Sequence, residues 1–111
     1  MKKIAIPVEN DCLCSHFGHC REFVIIETEN NEIKKVERHN PPPHQPGVLP
    51  SWLAQHNVTH IIAAGIGNRA IQLFNQNGIE VLVGAEAKSP EELANDLLAG
   101  KLKSGSNLCD H

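Results

Sequence analysis

The second half of the chain alternates apolar strands with amphipathic helices, and this order constrains the fold most. The runs "THIIAAG" (59–65) and "IEVLVG" (79–84) are short, apolar and typical of buried strands. Between them, "NRAIQLFNQNG" (68–78) has the apolar spacing of a helix and ends at Gly78, a residue common just after a helix. A helix that crosses between two strands requires parallel strands covered on their faces. The order therefore predicts an α/β domain.

The first half predicts a meander that joins the same sheet. Strands are expected at "KIAIPV" (3–8), "EFVIIETE" (22–29) and "EIKKVERHN" (32–40), and the "NN" between the last two predicts a hairpin. The run "PPPHQPG" (41–47) predicts an exposed loop, since prolines lack donors. Helices are expected over 48–57 and 89–100, the latter with Ser89 as N-cap and Gly100 at its end. The result is a three-layer α/β/α domain with one antiparallel strand.

Composition excludes several classes of partner. The net charge of −3 and the absence of a basic cluster argue against nucleic acid and anionic membrane surfaces. Aromatic residues make up only 4% of the chain, too few for a base-stacking platform. The apolar run before Glu9 is too short for a signal peptide or a membrane span. We therefore expect a cytoplasmic protein with reduced cysteines.

The segment "CLCSHFGHC" (12–20) concentrates the metal-binding side chains of the chain. Thiolate and imidazole are preferred ligands of zinc, copper(I) and metal–sulfur clusters. A lone cysteine is usually a small buried hydrophobe, but three cysteines and two histidines in nine residues favour a metal or cluster site. The spacing matches neither a standard zinc finger nor a ferredoxin run. The candidate ligands are Cys12, Cys14, His16, His19 and Cys20, with Cys109 and His111 at the C-terminus as a possible completing pair.

The turn "GIGNRA" (65–70) predicts an anion site. Gly65 and Gly67 fit a dinucleotide turn only weakly, because no acidic residue ends the next strand. The glycines are alternatively explained by a sharp turn between strand and helix. Amide groups at a helix N-terminus with Arg69 beside them suit any anion, including a metal–sulfur cluster. If the strand over 3–8 lies beside the strand over 59–65, this turn and the Cys/His segment share one crevice.

Catalytic patterns are sparse. The strand ends carry no carboxylate cluster and no serine nucleophile elbow. Cys20 with His16 or His19 is a conceivable nucleophile and base, but nothing singles out that cysteine. The remaining histidines are expected at the surface or at element ends, and Trp52 is expected to pack its helix; these histidines are His39, His44, His56 and His60. The sequence predicts a binding protein and no enzyme.

Four segments resemble the dinitrogenase iron–molybdenum cofactor biosynthesis family. They are "SHFGHCREF" (15–23), "PGVLPSWL" (46–53), "VTHIIAAGIGNRAIQLFNQNGIEVLVGA" (58–85) and "DLLAGKL" (96–102). The resemblance implies a ribonuclease H-like fold with a mixed five-stranded sheet, order 3-2-1-4-5, in which strand 2 is antiparallel. It also implies binding and delivery of an iron–sulfur or molybdenum–iron–sulfur cluster in cofactor assembly for nitrogen fixation, between donor and acceptor proteins.

The family motif falls on His16, Phe17 and Gly18, and this chain departs from it with His19, Cys20, Cys12 and Cys14. These additions favour a cluster held by protein thiols. A zinc-binding regulatory or structural protein and a thiol redox sensor are the alternatives. We expect one domain over 1–103, a flexible tail over 104–111, and a monomer or weak homodimer.

Overall fold

The computed structural model describes residues 2–9, 12–13, 22–40, 48–83 and 88–100. Its elements follow the chain in a meander and two strand–helix units. They are β1 (Lys2–Glu9), β2 (Cys12–Leu13), β3 (Glu22–Glu29), β4 (Glu32–His39), α1 (Val48–Gln55), β5 (His60–Ile62), α2 (Asn68–Gln76), β6 (Glu80–Leu82) and α3 (Pro90–Leu98). The loop predicted over 41–47 and the tail predicted over 104–111 lie outside the described residues.

The strands form one mixed sheet in the order β4-β3-β1-β5-β6, with β2 paired to β1 off this path. β3 is antiparallel to both of its neighbours, while β5 and β6 run parallel to β1. Counted without β2, this is the predicted order 3-2-1-4-5 with strand 2 antiparallel. The predicted adjacency of the first strand and the strand that begins near residue 59 is confirmed by the pair Ile4–His60.

Two apolar cores lie on opposite faces of the sheet because side chains alternate along each strand. On one face, Ala5 and Ile25 pack in the same cluster as Leu53 of α1 and Phe74 of α2. On the other, Ile4, Ile6 and Ile26 share a cluster with Leu93 of α3. The sheet is therefore covered on both faces, which confirms the three-layer α/β/α architecture.

Several local predictions are confirmed. Asn30 and Asn31 both have positive φ, as a two-residue hairpin turn requires. The hydroxyl oxygen of Ser89 accepts a hydrogen bond from the backbone N–H of Glu92 and caps α3. Gly78 follows α2 with φ of 76°, the left-handed conformation that glycine adopts without a steric penalty.

The strand predicted over 59–65 is shorter than expected, and a second strand pairs with β1 beyond its end. Extension of the register Ile4–His60 and Ala5–Ile61 would set Ala64 opposite Val8 and Gly65 opposite Glu9. Those positions are held by Leu13 and Cys12 of β2. β5 itself ends at Ile62, and Ala63 still donates its backbone N–H to the carbonyl of Leu82. The sequence reading missed β2, and it placed Cys12 in a loop where the structure has a strand.

None of the helices in the described segments combines the length and the hydrophobicity that crossing a membrane demands.

Candidate functional site at the carboxyl edge of the sheet

The site is built where β1 and β5 end. One edge of β1 is paired with β3 from Lys2 to Val8. β2 therefore pairs with the other edge of β1, the edge that β5 pairs with nearer the N-terminus of β1. In open α/β sheets, ligands bind beyond the carboxyl ends of the strands. The beginning of the Cys/His segment lies in this region, because β2 pairs with Val8 and Glu9 at the end of β1.

Leu13 anchors this segment to the fold. Its side chain is 3% exposed and belongs to the apolar cluster that contains Val8, Ala64 and Leu93. Its backbone N–H donates to the carbonyl of Lys88, ahead of α3, at 3.0 Å. The neighbouring Cys12 has the opposite orientation, with a free and exposed thiol. This alternation, buried Leu13 beside exposed Cys12, makes one thiol accessible on a fixed strand.

The turn after β5 leads to the N-terminus of α2. Gly65 is buried, Gly67 is the exposed N-cap residue with φ of −70° and ψ of 153°, and Arg69 is exposed in the first turn. No heavy atom of the described residues lies within 4 Å of a Cβ built on Gly67. Among the described residues, neither backbone strain nor crowding therefore requires a glycine at Gly67, which weakens the explanation of this residue as a turn former.

The two helix N-termini of the described second half differ in charge and capping. α3 begins with the Ser89 cap and carries Glu91 and Glu92 in its first turn. α2 has no side-chain cap and no acidic residue in its first turn. The first N–H groups of a helix lack acceptors within the helix and carry a partial positive charge. At α2 this charge is reinforced by Arg69, so this helix end suits an anion.

The other predicted ligands lie outside the described residues. They are Cys14, His16, His19, Cys20, Cys109 and His111. Within the described segments, no three His, Cys, Asp or Glu side chains are close enough to hold a metal ion. Of the predicted site, the structure describes Cys12, paired with Glu9 at the end of β1, and Gly65, Gly67 and Arg69, which follow the neighbouring strand β5.

Sequence reasoning missed a second cluster, formed by His39 of β4, Trp52 of α1 and His56, which directly follows α1. The ring centroids of His39 and His56 are 4.9 Å apart, and the ring centroids of Trp52 and His56 are 5.0 Å apart. His39 Nε2 donates to Glu37 Oε2 at 3.0 Å. Both histidines are half-buried and lie at element ends, which agrees with the prediction of positions at the surface or at element ends. The available signal was the spacing of Trp52 and His56, which places both on one side of the helix.

Electrostatics in this cluster favour the neutral form of His56. Its pKa is lowered below the ordinary 6.5 by burial first, and then by the nearby His39 and Lys3, while Glu37 opposes the shift. The pKa of Glu37 is itself lowered by hydrogen bonds from Lys35 and then His39. His60, also half-buried, lies on the other face of the sheet, where its Nε2 is 3.0 Å from Glu80 Oε2.

A cavity of about 250 Å³ opens at the opposite, amino edge of the sheet. It is lined by Lys3, Glu27, Asn57 and Thr59. Lys3 and Glu27 are paired at 3.3 Å, and the Thr59 hydroxyl bonds the backbone of Lys3. The lining groups therefore partner one another, and the cavity adds nothing to the site at the carboxyl edge.

Comparison with known proteins gives the family. The model of the family described as "Dinitrogenase iron-molybdenum cofactor" matches residues 1–100. An uncharacterized protein of Methanocaldococcus jannaschii, MJ0580, is 38% identical over 110 residues, which cover 93% of this chain and 91% of that protein.

Solved structures give the same fold. The crystal structure of PH0822 superposes with a TM-score of 0.85 at 34% identity and covers 93% of this chain and 96% of its own. The apo form of the orange protein from Desulfovibrio gigas has a TM-score of 0.79 with 96% and 95% coverage. Its identity of 19% makes this a likeness of fold alone.

Proposed function

The chain belongs to the dinitrogenase iron–molybdenum cofactor family, and on that premise we propose that it binds a metal–sulfur cluster as cargo and passes it between a donor and an acceptor protein. The family description supports a cofactor-related role. The finer assignment of an iron–sulfur or molybdenum–iron–sulfur cluster, held at the carboxyl edge of the sheet, is our proposal.

The observation that carries the proposal is the position of Cys12. Its thiol is free and exposed. Cys12 is paired with Glu9 at the end of β1, the position that Gly65 would face if β5 continued in the same register. The neighbouring strand β5 leads through the turn to the N-terminus of α2. Cysteine sulfur is a soft ligand, so we propose that it and this helix end face the same cargo. A thiolate supplies the covalent contact that iron in a cluster requires, and the helix end with Arg69 supplies the positive potential that an anionic cluster requires.

The remaining ligands of the proposal come from the segment that Cys12 begins. Cys14, His16, His19 and Cys20 follow within eight residues of Cys12, so they share its anchor at Leu13. Cys109 and His111 are proposed as a closing pair. A cargo must also leave, which suits a site at the edge of the sheet better than a closed cage. The proposal is therefore a binding function, and catalysis has no part in it.

The test is the metal and acid-labile sulfide content of protein purified without oxygen from its native host, with a visible spectrum. We expect iron, with or without molybdenum, together with sulfide and visible absorption. The variant Cys12→Ser should lose most of the cluster while its fold persists, because the thiol is exposed. The triple variant Cys12→Ser/Cys14→Ser/Cys20→Ser should lose all of it.

A matched pair of charge variants tests the helix end separately. Arg69→Ala should retain less cluster and release it at lower salt. Lys34→Ala removes one exposed positive charge from β4, away from the proposed site, and should retain the wild-type amount. Stoichiometric zinc without sulfide would replace the proposal with a zinc protein. A reversible disulfide with no metal, even after reconstitution with iron and sulfide, would replace it with a redox sensor.

A further inference from the structure

The cluster of His39, Trp52 and His56 is not used by the proposed carrier function. It joins the carboxyl end of edge strand β4 to the last turn of α1, and Trp52 continues it inward to the buried Phe23 at 5.9 Å. His39 contacts Trp52 edge-on, with the two centroids 6.1 Å apart. Two half-buried imidazoles thus lie against the wall formed by an indole, in a place where apolar packing alone would not require histidine.

We propose that His39 and His56 form a two-imidazole binding site for a divalent transition metal ion of the nickel, copper or zinc group. Imidazole nitrogen is a preferred ligand of these ions. The site is separate from the thiol-rich segment and would persist if the carrier function were refuted.

The separation of the two rings fits a shared metal. With a metal–nitrogen distance of about 2.0–2.1 Å, the metal lies about 3.2 Å from each ring centroid. Ligand angles of about 90° to 109° then place the two centroids about 4.5–5.2 Å apart. His39 and His56 are 4.9 Å apart with planes tilted by 55°. This separation lies inside the range that one metal ion imposes, which is narrower than the range of ordinary aromatic packing.

Glu37 holds the imidazole ring of His39. Its carboxylate accepts from His39 Nε2 at 3.0 Å, which fixes the orientation of that ring and leaves Nδ1 as the donor atom. A carboxylate that orients a histidine and raises its basicity is a common outer contact of metal sites. Glu37 is in turn held by Lys35 Nζ at 2.7 Å.

The site is one of modest affinity. Within the described segments no third His, Cys, Asp or Glu side chain joins the two histidines as a ligand, so water fills the other positions. Two neutral donors on elements that are already packed together give an expected dissociation constant of about 1–100 μM. Because the ion would bridge β4 and α1, its binding also raises the thermal stability of the folded chain.

Trp52 makes the test direct, since it is the single tryptophan and the chain has no tyrosine. The four cysteines are first carbamidomethylated so that thiols do not compete for the probe, and retention of the fold is checked by circular dichroism. The probe is Ni²⁺, a paramagnetic ion that quenches fluorescence at short range. We expect saturable, one-to-one quenching of Trp52 emission, weakened at least tenfold in His39→Asn and in His56→Asn.

The chain offers a matched control at His60, a half-buried histidine that also contacts a glutamate at 3.0 Å but lies on the other face. His60→Asn should bind Ni²⁺ like the unmutated chain. Glu37→Gln should weaken binding about tenfold, the loss usual for a carboxylate that orients a ligand. In the unmutated chain, Ni²⁺ should broaden the imidazole proton signals of His39 and His56 before those of His60.

The broadening of the imidazole proton signals needs no substitution, so it remains valid if a variant misfolds. The proposal is overturned if quenching does not saturate below 1 mM Ni²⁺, a limit set about tenfold above the weakest affinity expected. It is also overturned if His60→Asn weakens binding as much as His39→Asn does, or if the signals of His60 broaden before those of His39 and His56.

Discussion

Substitution of Leu13 by alanine tests whether the start of the Cys/His segment is anchored in the core. Leu13 is 3% exposed in the cluster shared by β1, β5 and α3. Truncation to alanine removes about 100 Å² of buried apolar surface, worth about 2.5 kcal/mol at 25 cal/mol per Å². The residual cavity adds to this loss, so we expect the free energy of unfolding to fall by about 3 kcal/mol.

The assay is urea unfolding followed by circular dichroism, with Val36→Ala as the control. Val36 lies on the edge strand β4 and is 41% exposed, so its truncation should cost about 1 kcal/mol or less. A loss for Leu13→Ala no larger than that for Val36→Ala would refute the anchor.

Two further predictions concern a helix cap and a titration. Ser89→Ala should lower the free energy of unfolding by about 1 kcal/mol in the same urea assay, while Ser89→Asp keeps an acceptor for the Glu92 N–H and should cost little; equal losses would contradict the cap. The pKa of His56 measured by NMR should lie below 6.5, because burial and the charges of His39 and Lys3 disfavour its protonation. Since the unfolded chain then binds the proton more readily, the contribution of His56 to stability is present above pH 6.5 and is lost as the pH falls through the folded pKa. His56→Gln should remove this part of the pH dependence, and a pKa at or above 6.5 would contradict the burial.

The local elements were predictable because neighbouring residues encode them. The hairpin turn follows from two adjacent asparagines that tolerate positive φ, and the start of α3 follows from Ser89 ahead of a proline. The parallel pairing of β5 and β6 follows from a helix between two apolar runs. The family resemblance added the strand order, which these local signals leave open.

β2 was not predictable, because two residues carry no periodicity. The apolar run up to residue 65 favoured a long strand, and nothing near it in sequence indicates that Leu13 takes the place of Ala64 beside Val8. The pairing of His39 with His56 was missed for the same reason. The two residues belong to different elements and meet only when α1 packs on the sheet.

The sequence by itself determined the elements, their caps and the parallel α/β class, since these depend on side-chain period and backbone preferences within a few residues. It also supplied the ligand chemistry of the Cys/His segment. Only the tertiary structure decided that Cys12 pairs with the end of β1, and that two histidines meet against Trp52. Such contacts depend on which segments pair with the same edge of a strand and which helices pack on each face. Distant segments compete there for backbone hydrogen bonds and buried apolar surface, and no local pattern encodes the result.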